Sequence, residues 1–132
     1  MTELRVERTL AATPERVWRA FTSAEELAAW MWPASWGTTC EVDLRVGGRY
    51  RIAAPAMAVG GEYVAIDAPQ RLVQTWQWDG EDEETLVTIT LAGHPDGTLL
   101  TIVHERFADA EARDNHAQGW NDCLDRLLPW VE

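Results

Sequence analysis

From Thr38 to Phe107 the apolar residues recur at every second position in six short runs, and no other feature of the chain restricts its fold as much. The runs are Thr38 to Leu44, Gly48 to Ala53, Gly61 to Asp67, Arg71 to Trp78, Glu84 to Leu91 and Thr98 to Phe107. Alternation at period two sends one row of side chains to a core and the other to water, the pattern of a half-buried strand. Turn chemistry separates the runs, as Val46-Gly47-Gly48, Asp67-Ala68-Pro69, Asp79-Gly80 and His94-Pro95-Asp96-Gly97. Connections this short join antiparallel neighbours, so the spacing predicts a meander. Such a sheet leaves one apolar face that another element must cover.

The cover is legible at the C-terminal end. After Phe107 the spacing becomes helical, with Asp109 as N-cap and His116, Trp120, Cys123, Leu124, Leu127, Leu128 and Val131 on one side. Ahead of the meander, Leu4, Val6, Arg8 and Leu10 share one face of a first strand. Thr13-Pro14 places an N-cap before a proline at the first helical position, opening a helix with Val17, Trp18 and Phe21 as its apolar stripe. Ser23-Ala24-Glu25-Glu26 has the form of a capping box, with Ser23 bonding the Glu26 N–H and the Glu26 side chain reaching back. A second short helix carrying Leu27 and Trp30 is expected there. Helix cannot continue past Pro33, so Trp30 to Gly37 reads as an unusually aromatic loop. The expected fold is therefore α+β: a curved antiparallel sheet of about seven strands wrapped around a long C-terminal helix, with two short helices after strand one. The 132 residues fit one domain, 1–132.

Charge and residue inventory exclude several functions. A formal net charge of −11 repels phosphate backbones and anionic lipid, so no nucleic acid or membrane partner is expected. All basic residues are Arg, which removes every chemistry that needs a lysine, including Schiff bases and a P-loop. No run approaches the ~18 apolar residues of a membrane span. The N-terminus lacks the pattern of a signal peptide, and Cys40 and Cys123 show no paired spacing. A cytoplasmic protein with reduced thiols and no disulfide is expected. No compact ligand motif for a metal is present, and no cofactor is expected.

Several segments, taken in order, resemble one known family. They are Thr13-Pro14-Glu15-Arg16-Val17-Trp18-Arg19-Ala20-Phe21-Thr22, the Trp30/Trp32-Pro33 loop, Asp43-Leu44-Arg45-Val46-Gly47-Gly48 and Gly61-Glu62-Tyr63. Pro69-Gln70-Arg71-Leu72-Val73-Gln74-Thr75-Trp76, Gly97-Thr98, His104-Glu105-Arg106-Phe107 and His116-Ala117-Gln118-Gly119-Trp120 follow. Together they are similar to the SRPBCC superfamily, the helix-grip fold of START domains and birch-pollen allergens. Within it the chain resembles a single-domain, bacterial-type member of the activator of heat-shock protein 90 ATPase homologue family. The resemblance implies the helix-grip fold, an internal cavity for hydrophobic small molecules and an association with stress response. Eukaryotic members that stimulate the chaperone ATPase carry an additional N-terminal domain, for which this chain has no room.

Eight tryptophans in 132 residues are the strongest anomaly of the chain. Core packing accounts for part of them, since each buried indole removes about 150–250 Å² from water. Placement suggests more. Trp76 and Trp78 share a strand face, Trp120 lies on the helix stripe, and Trp30 and Trp32 sit in a loop; a cavity between sheet and helix would gather all five. His104 is in phase with Leu100 and Ile102 on the inner face, while His116 and Cys123 flank Trp120 at helical spacing. Tyr50, in the run from Gly48 to Ala53, and Met57, ahead of Gly61, complete the expected lining of the ligand site.

No catalytic constellation stands out, because His116 and Cys123 lie about 10 Å apart along a helix, beyond hydrogen-bond reach. The leading expectation is thus a non-enzymatic module that binds a small hydrophobic or aromatic molecule. A first alternative is an enzyme of the cyclase, dehydratase or hydrolase kind that the resemblance allows, using His104, His116 or Glu62 as acid or base. A second is a chaperone-associated interaction module acting through an exposed Trp32 to Trp36 loop. A homodimer is compatible with either. The acidic run Asp79 to Glu84 reads as a solvated hairpin tip.

Overall fold

The computed structural model describes residues 2–132. Strand β1 (Thr2–Leu10) leads into helices α1 (Pro14–Thr22) and α2 (Ala24–Trp30), and a single 3-10 turn (Ala34–Trp36) closes the aromatic loop. The meander follows as β2 (Thr39–Val42), β3 (Arg49–Ala54), β4 (Met57–Asp67), β5 (Arg71–Trp78), β6 (Thr85–His94) and β7 (Gly97–Phe107). Helix α3 (Ala110–Val131) ends the chain. All seven strands form one antiparallel sheet in the order β1-β7-β6-β5-β4-β3-β2. The first strand thus closes onto the last, and α3 lies across β1 and β7 in the grip of the sheet.

Capping follows the sequence at each helix start. Thr13 accepts from the Arg16 N–H, Ser23 from the Glu26 N–H and Asp109 from the Ala112 N–H, each pairing one of the otherwise unbonded first-turn donors. The capping box at Ser23 is only half formed. Instead of reaching back, the Glu26 carboxylate accepts from Arg16 at 2.6 Å, Arg19 at 2.8 Å and the Trp130 indole at 2.9 Å. Charge-assisted bonds to two guanidinium groups outweigh one bond to a backbone N–H, so Glu26 ties α1 to the end of α3. Arg8, a charge in the apolar row of β1, is explained by Asn121 of α3, whose side-chain oxygen it reaches at 2.7 Å.

Three strand limits differ from the periodicity. Strand β2 stops at Val42 because Asp43 to Gly48 folds into a turn held by bonds from Arg45 N to Asp43 O and from Gly48 N to Arg45 O. Strand β4 begins at Met57, four residues before Gly61, since Pro55-Ala56 forms a tight hairpin in which Ala54 pairs with Met57. Strand β6 runs on to His94, which pairs with Gly97 across Pro95-Asp96. Gly61 allows β5 to come close: a Cβ there would strike the Thr75 carbonyl.

The end of β7 contains the one non-glycine residue with positive φ among those described, Arg106 at +75°. The β1–β7 register slips at this point, with Thr2 opposite Phe107 and Glu3 opposite Glu105. Arg106 is therefore a bulge. It breaks the alternation so that His104 and Phe107, three positions apart, are both buried.

Candidate functional site

Where the aromatic loop, the end of β5 and the middle of α3 meet, a cavity of about 340 Å³ opens to solvent. Its walls are mostly indoles: Trp32 from the loop, Trp76 and Trp78 from β5 and Trp120 from α3. Trp32 and Trp78 lie nearly parallel, 13° apart with centroids at 6.1 Å, while Trp76 stands edge-on to Trp78 at 85°. Such offset and edge-to-face pairs are the favoured arrangements of aromatic rings. Met57, His116 and Cys123 complete the part of the lining that the sequence suggests.

Two hydrogen-bond chains hold these rings. The Trp120 indole donates to His104 Nδ1 at 3.0 Å. With Nδ1 accepting, His104 Nε2 carries the proton and donates to Thr85 Oγ1 at 2.6 Å; Thr85 in turn donates to the Trp76 carbonyl at 3.0 Å. Helix α3, β7, β6 and β5 are linked through one imidazole. In the second chain the Trp78 indole donates to His116 Nε2 at 2.8 Å, and His116 Nδ1 donates to the Ala112 carbonyl at 2.7 Å. The two histidines thus occupy opposite neutral tautomers, each with both nitrogens engaged. Burial, with a smaller contribution from His116, pushes the His104 pKa down to about 3. Burial raises the Cys123 thiol to about 11, against a partial pull downward from Arg126.

Three residues named from sequence are not part of the cavity wall. Trp30, only 1% exposed, packs edge-on against Phe21 at 5.1 Å and donates its indole N–H to the Ala20 carbonyl at 2.8 Å, so it fills the core between α1 and α2. Tyr50 is buried behind Trp76 and Tyr63 and bonds the Thr75 carbonyl, supporting β5 from β3. His104 lies beneath Trp76 and Trp120, where it braces the wall from below. Glu62 is exposed on β4 between inward-facing Gly61 and Tyr63, which removes it as an acid or base for the cavity. Of the tryptophans in the aromatic loop only Trp36 is exposed, at 40%; Trp32 is 5% exposed and covered by Trp36 and Trp78.

The structure adds wall residues that the sequence reading passes over: Pro33, Trp36, Gly119 and Arg126, with Asn115 and Asp122 on the same wall. Gly119 and Arg126 extend the stripe of His116, Trp120 and Cys123 at steps of three and four residues, so continuing that stripe would have found them. Arg126 donates to the carbonyls of Trp30 at 3.2 Å and Met31 at 2.8 Å. It thereby caps α2 from α3 and fixes the loop that carries Trp32. Among the described residues no group of His, Cys, Asp and Glu is arranged to hold a metal ion.

The comparisons agree with this architecture. The family described as Activator of Hsp90 ATPase homolog 1-like protein matches residues 11–132. A solved structure from Chromobacterium violaceum is 37% identical, with 100% of this chain and 99% of that one covered at a TM-score of 0.86. One from Rhodobacter sphaeroides is 31% identical over 98% of this chain and 91% of its own, at a TM-score of 0.83. An HSP90 activator from Plasmodium falciparum shares the fold at 22% identity and a TM-score of 0.78, with 95% and 92% of the two chains covered. No curated protein matches the chain.

Proposed function

The chain belongs to the Activator of Hsp90 ATPase homolog 1-like family, and on that premise we propose that residues 1–132 act as one helix-grip domain that binds a small hydrophobic molecule between Trp32, Trp76, Trp78 and Trp120. The observation that carries this reading is the cavity itself. About 340 Å³ of open space walled by five indoles lies at the lower end of the ~300–1,000 Å³ range of small-molecule sites. Leaving that much aromatic surface wet forgoes burial worth roughly 25 cal/mol per Å², which an apolar guest recovers.

Binding without catalysis is the favoured form. A general acid or base needs a proton position free to exchange with substrate, and His104 and His116 both have their ring nitrogens committed. Titration of intrinsic tryptophan fluorescence with lipids and aromatic compounds tests the reading: saturable quenching by at least one class supports it, and a flat response to all classes overturns it. The two free thiols suit a reducing cytoplasm, and no helix among the described residues is long and apolar enough to cross a membrane.

A second reading is favoured by one observation, the exposed Trp36. Exposed indoles are frequent anchors of protein interfaces, and the family description supplies a chaperone as the partner, with a role in stress response. Capture of a purified Hsp90 by the wild-type chain and not by Trp36→Ala supports this reading; no capture by either ends it.

A further inference from the structure

A cation without a counter-charge stands on the cavity wall. Of the eleven arginines, Arg8, Arg16, Arg113 and Arg126 are half-buried. The first three each have a carboxylate at hand: Asp125 at 4.0 Å, Glu26 at 2.6 Å and Asp114 at 3.0 Å. Among the described residues no carboxylate lies within 4.0 Å of Arg126, although the chain has 22 acidic residues. Arg49, Arg71 and Arg106 also lack one, but they are exposed and water solvates their charge. Asp122, one helical turn back on the same wall, has the spacing to pair with Arg126. Its carboxylate instead accepts from the Gln118 amide at 3.0 Å.

The bonds that Arg126 makes go to neutral groups: Nε to the Trp30 carbonyl, Nη2 to the Met31 carbonyl and to the Cys123 thiol, which burial keeps protonated. Capping α2 thus accounts for two nitrogens and leaves the positive charge uncompensated. Among the described residues, the buried side-chain N and O atoms without a hydrogen-bond partner are Thr38 Oγ1 and Trp76 Nε1. Arg126 Nη1 has no partner either and is not one of these, so solvent reaches it. The same holds for the side-chain N–H groups of Trp32, Trp36 and Asn115. The wall carries several unpaired donors and one guanidinium, against the single carboxylate of Asp122.

We propose, resting on the reading of this cavity as a ligand site, that its guest is an organic acid, with an apolar body against the indoles and one carboxylate paired with Arg126. A guanidinium N–H bound to a carboxylate makes a charge-assisted hydrogen bond, about twice as strong as a neutral one. The net charge of −11 opposes anions at long range, but salt screens that field beyond about 8 Å, whereas the contact with Arg126 acts at the wall.

Two pairs of probes, each matched in its body, isolate the charge: 2-naphthoate against 2-naphthamide, and octanoate against octanamide. Dissociation constants by equilibrium dialysis at pH 7 are expected to favour the acid of at least one pair roughly tenfold, the lower end of what a charge-assisted bond provides. The pair with the larger preference tells whether the body is aromatic or alkyl. Arg126→Gln is expected to bind the amide within about twofold of wild type and to lose the preference. An Arg126 that only caps α2 would instead weaken acid and amide alike, because the loop carrying Trp32 loosens for both. In case that variant fails to fold, the wild-type 1H–15N spectrum decides alone, since the Arg126 Nε–H resonance should move with the acid and not with its amide. Three results overturn the inference and leave the cavity reading standing: equal affinity for acid and amide in both pairs, an unchanged preference in folded Arg126→Gln, or an unmoved Arg126 resonance with the acid bound. Saturable binding of none of the four probes overturns this inference, and a flat fluorescence response to every other class would then remove the cavity reading separately.

Discussion

The indole N–H of Trp120 points into the interior and ends on His104 Nδ1 at 3.0 Å, which makes a fully buried imidazole the keystone between α3 and the sheet. His104 has no second proton to give without breaking a bond. Protonating Nδ1 turns the acceptor for Trp120 into a donor facing a donor, inside an apolar shell of Trp76, Phe107 and Trp120. The uncharged state is thereby built into the fold, and stability must depend on acidity.

The sign follows from the two states. The folded pKa is depressed to about 3 from the ordinary imidazole value of 6.5 that the unfolded chain retains, so the unfolded chain binds the extra proton first as pH falls. The stability that His104 secures is complete above about pH 6.5 and drains away between there and about pH 3, by up to roughly 1.4 kcal/mol per unit. Urea melts at pH 7, 5.5 and 4.5 should show this loss, and His104→Gln, which cannot titrate, should start less stable and fall more gently. Parallel curves for the two proteins would refute the assignment.

Trp30 and Trp36, six residues apart in one aromatic segment, should behave as opposites. Trp30→Ala empties a closed core position and orphans the Ala20 carbonyl, so a loss of about 3–5 kcal/mol is expected. Trp36→Ala removes a ring that is 40% exposed and should cost under about 1 kcal/mol. Chemical denaturation of both variants checks the contrast.

Gly119 presents a trade between stability and binding. Alanine suits a helix interior better by about 0.8–1 kcal/mol, and its methyl meets nothing within 4 Å, so Gly119→Ala should raise the melting temperature. Gly119→Trp should keep the fold but fill the cavity, abolishing tryptophan quenching by any guest that the wild type takes up. Retained quenching in Gly119→Trp would place the guest elsewhere.

Arg106 bears a conformation that costs a side chain about 1–2 kcal/mol and a glycine almost nothing. Because the side chain is exposed and the φ is +75°, Arg106→Gly should be neutral or stabilising by up to about 1 kcal/mol, despite the extra freedom of the unfolded chain. Arg106→Val, branched at Cβ, should be clearly destabilising. A scan of melting temperatures with these two variants separates the bulge from an ordinary strand position.

Element order was legible because its causes are local. Alternation across β5, β6 and β7, the caps at Thr13, Ser23 and Asp109 and the stripe from His116 to Val131 each act over a few residues, and together they fix seven strands, the two short helices and the long cover. The resemblance carried by the same residues pointed to the family that the chain belongs to. Periodicity also put Trp76, Trp78 and Trp120 on inward faces, as they are.

What local pattern could not decide is the partner each inward group meets. Whether an indole fills a core, as Trp30 does, or walls a cavity, as Trp32 does, depends on what the rest of the chain brings opposite it, here Phe21 in one case and Trp78 in the other. Glu26 has the spacing of a capping box, yet Arg16, Arg19 and Trp130 converge on it from α1 and the far end of α3. The tautomers of His104 and His116 were set in the same way, by a hydroxyl on β6 and a carbonyl one helical turn back. Side-chain direction is written in a few neighbouring residues, whereas packing and proton placement are settled only when distant segments meet, because hydrogen bonds and van der Waals contact act over a few ångströms of space regardless of separation along the chain.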